Sequence, residues 1–109
     1  MWGMPRRVVP QDQEPDVTHA LEVMASPVAA AILHDLYSHP GSTARDLTNR
    51  LEVGGKHIVH YHLNRLAADG LITRTGAIGR YGYAWTRDET ALRAAVTMIA
   101  AYLHVDPTT

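Results

Sequence analysis

LEVGGKHIVHYHLNRLAADGLITRTGAIGRYGYAW, residues 51–85, is the stretch around which the remainder of the chain arranges itself. Val59, Leu63 and Leu66 recur at i, i+4 and i+7, the spacing of one buried helical stripe. The other faces of that helix carry Lys56, His57, His60, Tyr61 and Asn64, with Asp69 alone as a carboxylate at its far end. A helix held by a narrow apolar stripe, with donors and aromatics left outside, suits insertion into a nucleic-acid groove. An ordinary amphipathic surface helix has the same pattern, so the flanking elements must decide. Before it, Glu52-Val53-Gly54-Gly55 reads as a tight turn whose glycines accept positive φ. After it, Asp69-Gly70 is a helix stop. Two strands are expected next, Leu71–Thr75 and Arg80–Thr86, joined by Gly76-Ala77-Ile78-Gly79. In the second, Tyr81, Tyr83 and Trp85 share one face, and Arg80, Gly82 and Ala84 the other.

Upstream of the turn, Thr43-Ala44-Arg45-Asp46 is a variant capping box with Asp in place of the usual Glu or Gln. It opens a short helix that buries Ala44, Leu47 and Leu51. Ser26–Pro27 reads as N-cap and first residue of another helix, running to about Ser38 and ended by His39-Pro40-Gly41. Its inward residues are expected to be Val28, Ala31, Ile32, Leu33 and Leu36. A first helix begins at Asp16 or Thr18, with Val17, Ala20, Leu21 and Met24 at helical spacing. The last begins at Asp88 or Glu89, acids suited to a helix N-terminus. Leu92, Ala95, Val96, Ile99, Tyr102 and Leu103 form its wide apolar stripe, which either lids the core or, being wider than a lid requires, joins the first helix in a subunit interface.

The chain of 109 residues reads as one domain over 17–104, with a Pro-interrupted arm at 1–16 and a tail at 105–109. Hydrophobic residues make up 46% and charged residues 19%, the balance of a soluble globular protein. With no cysteine, disulfides and thiolate metal sites are excluded. No apolar run approaches the roughly 20 residues of a membrane span, and no signal-peptide core is present, so a cytoplasmic location is expected. Net charge is −1, but it is unevenly spread. From Pro40 to Arg87, seven cations face three acids, a net +4 against −5 for everything else. A basic segment coinciding with the polar helix is the distribution of an electrostatic footprint for nucleic acid.

The order helix, helix, helix, tight turn, helix, hairpin, helix is that of a winged helix-turn-helix, mainly α with a small β-hairpin wing (α-α-α-α-β-β-α). The segment ARDLTNRLEVGGKHIVHYHLNRLAADGLITRTGAIGRYGYAWT resembles the ArsR-type repressors and their MarR-like relatives. The resemblance rests on Leu47 and Leu51 before the turn, the I-V-x-x-x-L-x-x-L-x-x-x-G-L-I run from Ile58 to Ile72, and G-R-x-x-Y-x-W closing the wing. It implies a transcriptional regulator, by family habit a repressor, that binds double-stranded DNA as a homodimer through its first and last helices. By the same resemblance, Lys56, His57, His60 and Tyr61 reach bases or phosphates, and Asn64 and Arg65 contact phosphates. Arg80 enters the minor groove, with Arg74 a second wing contact. Thr43 and Arg45 hold phosphate at a helix N-terminus. The dimer interface takes Val17, Leu21, Met24, Leu92, Ala95, Val96, Ile99, Tyr102 and Leu103.

ArsR-type proteins often sense metals, but this chain lacks the family's usual metal-site residues. Its last helix offers only Asp88, Glu89 and His104, and Asp88 and His104 lie roughly 24 Å apart at 1.5 Å per residue. His57 and His60 share a face without a third ligand. No metal and no cofactor is therefore expected, and no catalytic motif is present. His34, Asp35 and His39 are expected to be solvated. An unidentified small-molecule effector is compatible with the resemblance. The alternative to a DNA reader is a winged-helix protein-interaction module or accessory subunit.

Overall fold

A computed structural model describes residues 20–23, 25–77 and 82–105. The expectations for the arm at 1–16, for Val17, Met24, Arg80 and Tyr81, for loop residues Ile78 and Gly79, and for 106–109 fall outside these residues. Helical residues 20–23 and 25 lead into α1 (Pro27–Ser38), α2 (Ala44–Arg50) and α3 (Lys56–Ala68). Strands β1 (Ile72–Ala77) and β2 (Tyr83–Arg87) follow, then α4 (Glu89–Leu103). Among the described residues no helix is long and apolar enough to cross a membrane.

Local chemistry sets the helix ends. Ser26 is the N-cap of α1, its hydroxyl accepting the Ala29 amide at 3.1 Å, and Pro27 opens the helix where a missing N–H costs nothing. The Thr43–Asp46 box is complete: the Asp46 amide donates to Thr43 Oγ1 at 3.1 Å and the Thr43 amide to Asp46 Oδ2 at 3.0 Å. Asp88 caps α4 through the Ala91 amide. Past α3, Gly70 takes φ +77°, the Gly70 amide returns to the Ala67 carbonyl and the Leu71 amide to the Leu66 carbonyl. That is a Schellman closure, and its usual apolar clasp is present because Leu66 and Leu71 are both buried.

The core is centred on Ile32, Leu36, Leu47, Val59, Leu63, Leu66 and Ile72, all essentially without exposed surface. Fully burying such side chains contributes about 1.5–3 kcal/mol each. In α1 the buried set is Ala29, Ile32, Leu33 and Leu36; the expected Val28 is only half-buried at the core margin, and Ala31 is half-buried too. The stripe is thus centred nearer Ala29 than the expected set. Leu51 is likewise only half-buried, being the extended residue that ends α2. In the leading helical residues Ala20 and Val23 are buried while Leu21 stays exposed.

The hairpin is antiparallel, pairing Ile72 with Arg87 and Arg74 with Trp85, with an irregularity between Thr75 and Ala77. Both strands are displaced from their expected limits. Leu71 is drawn out of β1 by the Schellman closure, and its carbonyl instead accepts the Asp88 amide at 2.9 Å. The bulge then carries β1 on to Ala77, and β2 runs one residue further, to Arg87. A short bridge not anticipated from the sequence borders β2 on its other side. Trp85 donates its amide to the Ser42 carbonyl at 2.8 Å and accepts from the Gly41 amide at 2.9 Å. The hairpin is therefore stitched to the α1–α2 connection as well as packed on α3.

Terminal helix α4 enters the core through Leu92 and Ala95, with Ala91 and Ile99 partly buried against it. Leu92 and Ala95, expected on a subunit interface, are buried within the chain's own core. Val96 and Leu103 are exposed, and Tyr102 is half-buried.

Candidate nucleic-acid interface

Between α2 and α3, Gly54 and Gly55 have φ of +115° and +101°. At Gly54 a Cβ would also sit 3.1 Å from Ile58 Cγ1, so the turn is tight for both backbone and side-chain reasons. It delivers α3 with no side-chain cap, leaving its first-turn amides without a side-chain acceptor at the end that carries Lys56.

A second device fixes α2 against α1. Arg50 Nε donates to both oxygens of Asp35, at 3.1 and 3.0 Å, and Nη2 donates to Oδ2 at 2.7 Å and to the Ser42 hydroxyl. Ser42 in turn donates to the His39 carbonyl at 2.7 Å. The Asp35 hydrogen bonds hold the Arg50 guanidinium above its usual pKa. His39 Nδ1 stands 3.6 Å from Asp35. Asp35, expected to be solvated, is an anchor instead, with only 11% of its side chain exposed.

The helix-turn-helix and hairpin enclose an open groove of about 580 Å³, lined by Ala44, Arg45, Lys56, His60, Asn64, Arg74, Gly82, Tyr83 and Trp85. Its polar members are cations or hydrogen-bonding groups, and no carboxylate is among them. Lys56, His60 and Asn64 follow one another every four residues along α3 and make one wall. Arg74 lies over the Tyr83 ring, 4.1 Å from its centroid, and Tyr83 meets Trp85 edge-on at 6.3 Å. This aromatic wall carries Arg74 toward the groove and leaves its charge available there. Buried Trp85 is the floor that joins the Ser42 bridge, the β1 register and the groove.

Of the sites expected from the sequence, Arg45, Lys56, His60, Asn64 and Arg74 come together on this groove. His57 and Tyr61 are exposed on the crest of α3 outside it. Arg65 points to the opposite flank, where it donates to the Tyr61 hydroxyl and to Glu22, each at 3.4 Å. The bond to Tyr61 chiefly holds its pKa up. His62, on that flank, meets the Tyr61 ring edge-on at 5.0 Å and is pushed below the usual imidazole range by burial, then by Arg65. Thr43 is buried, and its hydroxyl accepts the Asp46 amide in the capping box that starts α2. Arg80 lies outside the described residues.

Sequence reasoning missed Tyr83 and Trp85 as groove walls, and it did not foresee which cations the fold itself uses. Arg50 is taken by Asp35. Arg87 is taken by Glu89 at 2.7 Å and by the Leu33 carbonyl at 3.0 Å, with its guanidinium over Tyr37. Among the described residues, the cations that line the groove are Arg45, Lys56 and Arg74. Comparison with curated proteins gives no match. The family model described as winged helix DNA-binding domain matches residues 26–84, which span α1, α2, the turn, α3 and most of the hairpin. That is more than half of the chain, and with this fold around a cationic groove it means that the protein belongs to the winged helix DNA-binding domain family.

Proposed function

We propose that this protein is a sequence-specific transcriptional regulator of double-stranded DNA, acting as a homodimer. Each subunit would lay α3 in a major groove and its wing along the adjacent backbone, with Arg80 in the minor groove. Occupancy of an operator would make it a repressor of the ArsR-like or MarR-like kind. The observation that carries the reading is the groove between α3 and the hairpin, where Arg45, Lys56 and Arg74 converge with His60 and Asn64 and, among the described residues, no carboxylate lines the surface. Cations in a concave site focus potential on an anionic partner. The dimer reading is supported by Leu21, Val96 and Leu103, exposed aliphatic residues on the leading helical segment and on α4.

The test is binding to duplex pools by the parent and by a Lys56→Glu, Arg74→Glu double variant. The parent should select a palindrome with half-sites about one helical turn apart, and the double variant should lose binding to every duplex. Unchanged binding by that variant removes the reading. A parent that binds no duplex at low salt would be a protein-interaction module instead.

A further inference from the structure

Tyr61 stands two positions from both Val59 and Leu63, so at 3.6 residues per turn it leaves α3 on the side farthest from the buried stripe. Its side chain is exposed and its ring meets His62 edge-on, yet its hydroxyl is engaged. Arg65 Nη1 donates to that hydroxyl, and Nη2 of the same guanidinium donates to Glu22 Oε1. Glu22 belongs to the leading helical segment, so the chain Glu22–Arg65–Tyr61 runs from that segment to the crest of α3. Both contacts are 3.4 Å long, and Glu22 and Arg65 are half-exposed. A pair of this kind adds little to stability; it steers a hydroxyl rather than anchoring the fold.

The direction of the chain carries its chemistry. A guanidinium donates and cannot accept, whereas a phenol accepts on its oxygen and has one proton to give. With Arg65 donating to the oxygen, the Tyr61 proton is left for an acceptor outside the chain. On base edges in the major groove the acceptors are purine N7, guanine O6 and thymine O4, while the amino groups of cytosine and adenine are donors. We infer that Glu22 and Arg65 are positioning residues that fix Tyr61 as a hydrogen-bond donor, so that it selects a base-edge acceptor and rejects the cytosine amino group. This deepens the DNA-binding reading and rests on it. Arg65 then acts through Tyr61 rather than on a phosphate, and the leading helical segment becomes part of the reading head.

The experiment deletes acceptors one at a time from the duplex that the parent selects. 7-Deazapurines remove N7, 2-aminopurine removes guanine O6, and 5-methyl-2-pyrimidinone removes thymine O4. One deletion per half-site should weaken the parent about 2- to 10-fold, the worth of a single hydrogen bond, and should cost Tyr61→Phe nothing. Glu22→Gln and Arg65→Gln should shrink that loss, together with the penalty for cytosine at the same position, and leave preferences at other positions as in the parent. Glutamine can accept the phenolic proton, so Arg65→Gln also frees the hydroxyl to accept from an amino group. If no deletion loses its effect in Tyr61→Phe, or if Tyr61→Phe weakens selected and random duplexes equally, the inference is overturned while DNA binding stands. Undiminished losses in both Glu22→Gln and Arg65→Gln overturn the positioning role. Tyr61→Phe alone decides the acceptor contact should either of those variants fail to fold. Absence of duplex binding by the parent removes the DNA reading itself.

Discussion

The recognition-type helix α3 and the terminal helix α4 are of similar length and each buries one stripe, yet their exposed surfaces differ in chemistry. Outside Val59, Leu63 and Leu66, α3 presents Lys56, His57, His60, Tyr61 and Asn64. Outside Leu92, Ala95 and Ala100, α4 exposes the aliphatic Val96 and Leu103 among Glu89, Thr90, Arg93 and Thr97. The inner faces look alike because both answer to the same core. What distinguishes the two helices lies on the residues that folding leaves exposed.

The contrast can be broken most forcefully from inside. Leu63 is fully buried where α3 meets the core, and Leu63→Ala should lower stability by about 2–5 kcal/mol in denaturant titrations. A loss much smaller than that would mean that α3 is not held by its stripe. Next comes the supporting helix. Thr43→Ala removes half of the capping box and should cost about 1 kcal/mol. Asp46, on the other half, is held below the usual carboxylate pKa, mainly by the Thr43 backbone amide. Since its folded pKa lies below its unfolded one, this contribution is complete above about pH 4 and is lost as the pH falls through the depressed value. Asp46→Asn should therefore show a flatter acid limb in its unfolding midpoints than the parent, and an identical limb would contradict the box.

At the end of α4, His104 has φ 59°, with its amide bonded to the Ala101 carbonyl and the Val105 amide to the Ala100 carbonyl. This repeats the closure after α3 with a residue for which left-handed backbone is costly. His104→Gly should raise stability by about 0.5–1 kcal/mol, readable as a higher melting temperature. The smallest direct effect is expected at Val96. For a chain folding alone, Val96→Glu should change stability by no more than about 0.5 kcal/mol. If α4 pairs with a second copy, the parent melting temperature rises with concentration and the variant loses that dependence. Concentration-independent melting in both would argue against the dimer.

Features governed by adjacent residues were legible in the sequence. Ser26–Pro27, Thr43–Asp46, Gly54-Gly55 and Asp69-Gly70 each act within a few positions, and each performs the expected task. The stripe of α1 was displaced because several small alanines leave its angular centre open to the packing. The strand limits depended on pairing and on a bulge, and the Ser42–Trp85 bridge joins residues far apart in sequence. The candidate site was legible as a set of residues but not as an arrangement. Arg50 finds Asp35 fifteen positions away, and Arg65 finds Glu22 forty-three away. No local spacing separates those arginines from Arg45 and Arg74, which line the groove.

Trp85 gives this architecture an optical handle. Its indole lies buried at the floor of the groove, and its backbone ties the hairpin to the α1–α2 connection. Trp2 is the other indole of the chain, so replacing it with phenylalanine leaves an emitter confined to the junction of wing and helix-turn-helix. Its emission would respond to water reaching that junction, and nucleobases approaching through the groove would quench it. Wing detachment and duplex arrival then become separable signals from one side chain, with no attached label.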